Sequence, residues 1–180
     1  MPIANSDIKV RYSIKTGSAG NTLSQGDVNE SLGKYIATND VTDATLHALF
    51  AAVTGDENAG SEARYRCIFV YNSHPTLTWQ GAKCWISAEV AGGADTAIGV
   101  DTNAASAVGS ASAQAIEVAD EETAPGGVSF TSPTTKSNGI SIGDIAAGEC
   151  RAIWVRRTAT NSGAANNDGV TLTFEGDTGA

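Results

Sequence analysis

Residues Cys67-Ile68-Phe69-Val70-Tyr71 are apolar without interruption at the centre of the run Ala63–Asn72, A-R-Y-R-C-I-F-V-Y-N. A strand sends successive side chains to opposite faces, so a strand with this centre must be covered on both sides and lie inside a sheet. Around it stand runs that alternate. Ile8, Val10, Tyr12 and Ile14 alternate with Lys9, Arg11, Ser13 and Lys15. Ala82, Cys84, Ile86 and Ala88 alternate with Lys83, Trp85, Ser87 and Glu89. Cys150, Ala152, Trp154 and Arg156 alternate with Arg151, Ile153, Val155 and Arg157, and Val170, Leu172 and Phe174 with Thr171, Thr173 and Glu175. Each is the pattern of a strand with one covered face. Shorter strands are expected near Tyr35-Ile36, Leu77–Trp79, Thr96–Val100, Ile116–Val118, Val128–Thr131 and Ile140–Ile142. The set predicts an all-β fold: an antiparallel β-sandwich, immunoglobulin-like or jelly-roll-like, of about eight to ten strands with one short helix.

The helix is expected over Thr42–Val53. Thr42 or Asp43 caps it, Leu46, Leu49, Phe50 and Val53 form its apolar stripe, and Gly55 stops it. Asn72-Ser73-His74-Pro75, Gln80-Gly81 and Ser137-Asn138-Gly139 read as turns between strands. Thr16–Gly33 reads as a long arm or loop, and Met1–Asp7 as an extended N-terminal arm. The Ala/Gly/Ser/Thr-rich stretch Ala91–Ala115 offers little to pack. With 180 residues the chain is expected to form a single domain over 1–180, large enough to bury roughly 70% of its unfolded surface without disulfides or metal.

Charge narrows the function classes. Charged residues are only 17% of the chain against 41% hydrophobic, which excludes a disordered chain. The net charge of -9 argues against nucleic acid or an anionic membrane as the main partner. No apolar run approaches the roughly 18 residues of a membrane span. The first residues, M-P-I-A-N-S-D, have neither the basic nor the apolar region of a secretory signal, so synthesis in a reducing cytoplasm is expected. The odd number of cysteines, Cys67, Cys84 and Cys150, each in a strand run, predicts free buried thiols rather than disulfides or zinc ligands.

Catalytic chemistry finds little to stand on. The two histidines, His47 on the expected helix and His74 before Pro75, have no metal-ligand spacing. A Cys67–His74 nucleophile and base pair would need an accessible thiol, which a strand-centre cysteine is not. Asp120-Glu121-Glu122 with Asp95 or Asp101 supplies oxygens for Ca²⁺ but lacks the EF-hand spacing, and reads as a solvated acidic loop. No phosphate-binding glycine motif is present. No catalytic residue, metal or cofactor is therefore expected.

The candidates for interaction are Trp85 and four arginines. Trp79 and Trp154 are expected in the core, whereas Trp85 shares its strand face with Lys83, Ser87 and Glu89 and is expected to point outward. Arg64 and Arg66 enter one strand; Arg156 and Arg157 leave another. The segment from Cys84 to Thr135 has no Lys or Arg and seven acids. If the two strands are neighbours, the arginines are placed to meet that acidic segment of another copy; the other reading is ordinary solvated strand ends.

Several stretches carry a resemblance. They are Leu49-Phe50 through Val53-Thr54-Gly55, Arg64–Val70, Asn72–Thr78, Ala82–Ser87, Ile145–Arg157 and Phe174–Asp177. Together they resemble a family of small tailed-bacteriophage virion structural proteins, of the head decoration or accessory kind. The turn Ala146-Ala147-Gly148-Glu149 leading into an alternating strand also looks like immunoglobulin-like domains. The resemblance implies a capsid decoration or cement protein that binds and stabilises the head lattice, without enzymatic activity. It implies the major capsid protein or other virion proteins as partners, further copies of the chain in a homo-oligomer (a trimer among the states that fit), and no nucleic acid or membrane. The protein would reside in the virion after assembly in the host bacterial cytoplasm. The alternative is a tail or fibre module binding host-surface carbohydrate or another virion protein.

Overall fold

The computed structural model describes residues 2–16 and 23–178. It is an all-β sandwich of nine strands among those residues: β1 (Ile8–Ile14), β2 (Tyr35–Asp40), β3 (Ala63–Asn72), β4 (Trp79–Glu89), β5 (Asp95–Val100), β6 (Ser106–Ala107), β7 (Ile140–Ile145), β8 (Glu149–Thr158) and β9 (Val170–Thr178). One sheet has the order β2-β1-β3-β8-β5, with β6 also paired to β8; the other has the order β7-β4-β9. Pairing between the strands is antiparallel throughout.

The core between the sheets is built from the inward positions that alternation predicts. Ile68 and Val70 of β3, Ile153 and Val155 of β8, and Ile98 of β5 face Trp79, Ala82, Cys84 and Ile86 of β4 and Ile142 and Ile145 of β7. Each large apolar side chain buried in this way contributes about 1.5–3 kcal/mol. The opposite positions of the same central strands, Cys67, Phe69, Cys150, Ala152 and Trp154, form a second apolar layer with Leu32, Ile36, Ala115 and Val118. The two-sided apolar centre of β3 thus has its second cover, and the larger sheet is packed on both faces.

That second cover corrects one expectation. The small-residue stretch after β5 does pack: with the residues that follow, it lies across the outer face of the larger sheet. Neither Ile116–Val118 nor Val128–Thr131 forms an extended strand there; each makes one bridge, Gly33 to Glu117 and Ile98 to Thr131. Buried irregular backbone needs partners for its polar groups, and two buried side chains help supply them. Asp101 accepts hydrogen bonds from Trp154 Nε1 (2.7 Å), Ile116 N (3.0 Å) and Asn103 N (2.8 Å). Gln114 accepts from Ile36 N (3.2 Å) and donates to the Ala107 carbonyl (2.9 Å). The cover approaches so closely at Gly33, where φ is +90°, that a Cβ would sit 1.8 Å from the Ile116 carbonyl oxygen.

The expected helix is also corrected. Residues 42–53 form turns, and the α-helix α1 (Gly55–Gly60) begins at the glycine expected to end it. Thr54 caps α1 in a reciprocal capping box with Glu57. Leu46 and Val53 of the supposed stripe are 64% and 36% exposed, while Leu49 and Phe50 pack on the core. The Tyr12 hydroxyl donates to the Ala48 carbonyl at 2.7 Å, and His47 and Ala44 take positive φ. Anchoring two side chains and one carbonyl to the sandwich overrides a local helical period. Gln80-Gly81 does not separate two strands: β4 runs through it as a bulge, with Gly81 at φ +57° and its N–H donating to Asp144 Oδ1 at 2.8 Å.

Candidate functional site

β3 and β8 are neighbours, with Arg64 opposite Arg157 and Tyr65 opposite Arg156. Arg64, Arg66 and Arg157 gather at one end of the sandwich; Arg156 lies on the other face, its guanidinium 5.4 Å over the Phe130 ring. Arg66 is fully buried and Arg64 nearly so. The acids that meet them belong to the same chain. Glu57 Oε1, from α1, lies 3.0 Å from Arg64 Nε and 3.2 Å from Arg157 Nη2. Arg64 Nη2 reaches Glu62 at 2.6 Å and Glu122 at 3.2 Å. Arg66 Nη2 pairs with Glu121 and donates to Asn29 Oδ1 at 2.7 Å. Phe50 underlies the cluster, with the Arg66 and Arg157 guanidinium carbons 5.4 and 5.0 Å from its ring centroid.

The acidic partner expected in another copy is therefore supplied internally for these three arginines, by the Glu121-Glu122 end of the chain's own acidic segment and by α1. Burial pushes the Glu57 carboxyl up, but hydrogen bonds from Thr54 and the charges of Arg157 and Arg64 outweigh it and hold the group below its ordinary value. The cluster joins α1, β3, β8 and the acidic loop. Sequence reasoning missed Glu57 and Phe50, which touch the arginines only through the fold; the capping-box spacing Thr54…Glu57 was the available signal for the helix start.

Trp85 stands on the other sheet, half-buried, with Thr173 opposite it on β9. Its neighbours in alternation, Cys84 and Ile86, are buried in the core, so Trp85 lies on the outer face. The Thr173 hydroxyl donates to Ser87 Oγ at 2.7 Å beside it, and Lys136 pairs with Glu175 on the same sheet. Trp79 and Trp154 are buried, as expected.

The remaining candidates have structural roles. Cys67, Cys84 and Cys150 are free and buried; burial pushes the Cys84 and Cys150 thiols up to about 12 and the Cys67 thiol well above its ordinary value. His74 Nδ1 accepts the Thr76 and Leu77 N–H groups at 3.2 and 2.9 Å, within the turn that leads to β4. Asp120 is occupied by its own turn, accepting from Glu122 N and Thr123 N. Among the described residues no group of three or more His, Cys, Asp or Glu side chains is arranged to hold a metal ion.

One feature lies outside the sequence-derived candidates. The outer edge of β9 pairs with no strand among the described residues. Across from it run Ile3–Asn5 and the start of β1, and between them is an open groove of about 350 Å³ lined by Ile3, Ile8, Val10, Leu172 and Phe174, among others, with Glu175 as its charged residue. The Ile3 N–H donates to Thr178 Oγ1 at 3.3 Å at the end of β9.

The chain matches no protein-family model, no curated protein and no solved structure.

Proposed function

We propose that the protein is a bacteriophage virion structural protein, a capsid decoration or cement protein that binds and stabilises the head lattice. The observation that carries this reading is where the resemblance falls. Apart from the first, Leu49–Gly55, which lies in the turns that lead into α1, its stretches lie on β3, the β3–β4 turn, β4, the β7–β8 turn with β8, and β9, which are the frame of the sandwich. A second support is charge. Arg64, Arg66 and Arg157 are paired with acids of the same chain, and the overall charge of -9 makes the protein net acidic, which would keep decorated particles apart in solution. The protein would act by burying apolar surface and pairing backbone on a repeating array, where many weak contacts give avidity without a catalytic centre. Its partners would be the major capsid protein or other virion proteins and further copies of itself, in a particle assembled in the host cytoplasm.

The test is cryo-electron microscopy of particles assembled with and without the chain. Density at three-fold or quasi-three-fold capsid positions, lost when the chain is omitted, is the expected result. Density confined to the tail, or none, would overturn the decoration role. A second reading has one specific observation behind it: Trp85 is half-buried on a solvent-facing sheet beside Thr173 and Ser87, a surface on which a sugar ring could stack. Glycan-array binding that disappears with Trp85→Ala would favour a tail or fibre module over a head protein.

A further inference from the structure

We propose that the free edge of β9 is a strand-addition site that takes an extended segment of another protein, apolar on one face and basic on the other. A strand edge exposes a row of main-chain donors and acceptors, and natural sheets leave such edges short, charged or covered. β9 is nine residues long, and its outer edge pairs with no strand among the described residues. It borders an open groove into which apolar side chains project from both sides. Ile3, Ile8 and Val10 form one wall and Leu172 and Phe174 the other.

The geometry specifies the occupant's pattern. A strand added beside β9 keeps the pleat, so its inward side chains fall in line with Leu172 and Phe174 and its outward ones in line with Thr173, Glu175 and Asp177. The inward set meets Ile3, Ile8 and Val10 and must be apolar. The outward set meets two carboxylates. Lys136, which pairs with Glu175 and also feels Asp177, and Lys83, which stands opposite Glu175, both lie on the β4 side of these acids, so the outer edge itself presents carboxylates. Lysine or arginine at the outward positions completes it. A second copy is the poorer occupant: its own β9 would bring the same two acids, on a chain of net charge -9. The edge would work this way in or out of a virion.

The probe is a blocked nine-residue peptide alternating valine and lysine, matched to the length of β9, titrated into the full chain under NMR observation. The expected result is slowed hydrogen exchange and shifted resonances at β9 amides and in Ile3–Val10. The same peptide with glutamate for lysine should bind at least about tenfold more weakly, and alternate N-methylation on the pairing edge should abolish binding. The exposed double substitution Glu175→Lys/Asp177→Lys should invert the preference between the two peptides while leaving the urea midpoint nearly unchanged. Equal binding of both charged peptides, or protection at a surface other than β9, would overturn the proposal. So would β9 amides that become protected with rising protein concentration alone, because the edge would then belong to a second copy.

Discussion

If Arg66 is a buried cation held by Glu121, the two partners must respond unequally to removal. Arg66 has no exposed side-chain surface, whereas Glu121 keeps 37% of its own. Glu121→Gln leaves the guanidinium buried over Phe50 with Asn29 Oδ1 and the Tyr65 carbonyl as neutral acceptors. Orphaning a fully buried ion costs about 3–5 kcal/mol. Here water already reaches Glu121 and two neutral acceptors remain, so about 2 kcal/mol is expected. Arg66→Met removes the ion that burial penalises and leaves Glu121 to solvent and to Arg64 Nε at 3.5 Å; about 1 kcal/mol or less is expected. The double variant should cost little more than Arg66→Met alone, a coupling of about 1–2 kcal/mol. Urea unfolding followed by tryptophan fluorescence measures all three, provided the slope is constant across the set. A loss for Arg66→Met larger than that for Glu121→Gln, or additive losses, would refute the view of these arginines as an internal ion-paired plug.

Other consequences are as direct. Asp101→Ala strands three donors and should cost about 3 kcal/mol or more, whereas Asp101→Asn, which keeps an acceptor, should cost about 1 kcal/mol; faster amide exchange at Ile116 would locate the damage. Glu57 has a lowered folded value, so the stability it contributes is fully present above its ordinary 4.5 and is lost as pH falls through the folded value. The urea midpoint should fall on acidification below about pH 4.5, and Glu57→Gln, less stable at neutral pH, should show a shallower fall. A wild-type profile that the variant reproduces unchanged would exclude Glu57 as a source. With the Cys84 and Cys150 thiols pushed up to about 12 and the Cys67 thiol well above its ordinary value, native protein at pH 8 should not react with an aromatic disulfide reagent, and all three cysteines should react once urea unfolds the chain. Rapid native labelling would contradict their burial.

The frame of this protein is legible in local residue pattern. Period-two alternation placed β1, β4, β8 and β9. The unbroken apolar centre of β3 required cover on two faces, and the strand positions of the cysteines foretold their burial. These features are local, because the pleat fixes which side chain faces which way. Tertiary structure decided everything that depends on what stands opposite. Leu46, Leu49, Phe50 and Val53 have a helical spacing, yet contacts from Tyr12 and the core hold the segment in turns. The stretch after β5 has little hydrophobic signal, yet it and the residues that follow supply Ala115 and Val118 to a core layer, where Asp101 and Gln114 bond their neighbours across the fold. Alternation separated Arg64, Arg66 and Arg157 from Arg156 in principle, but that their counter-charges are Glu57, Glu62, Glu121 and Glu122 of the same chain follows only from where α1 and the acidic loop come to rest. An ion pair is a relation between two places in space, and spacing along the chain does not contain it.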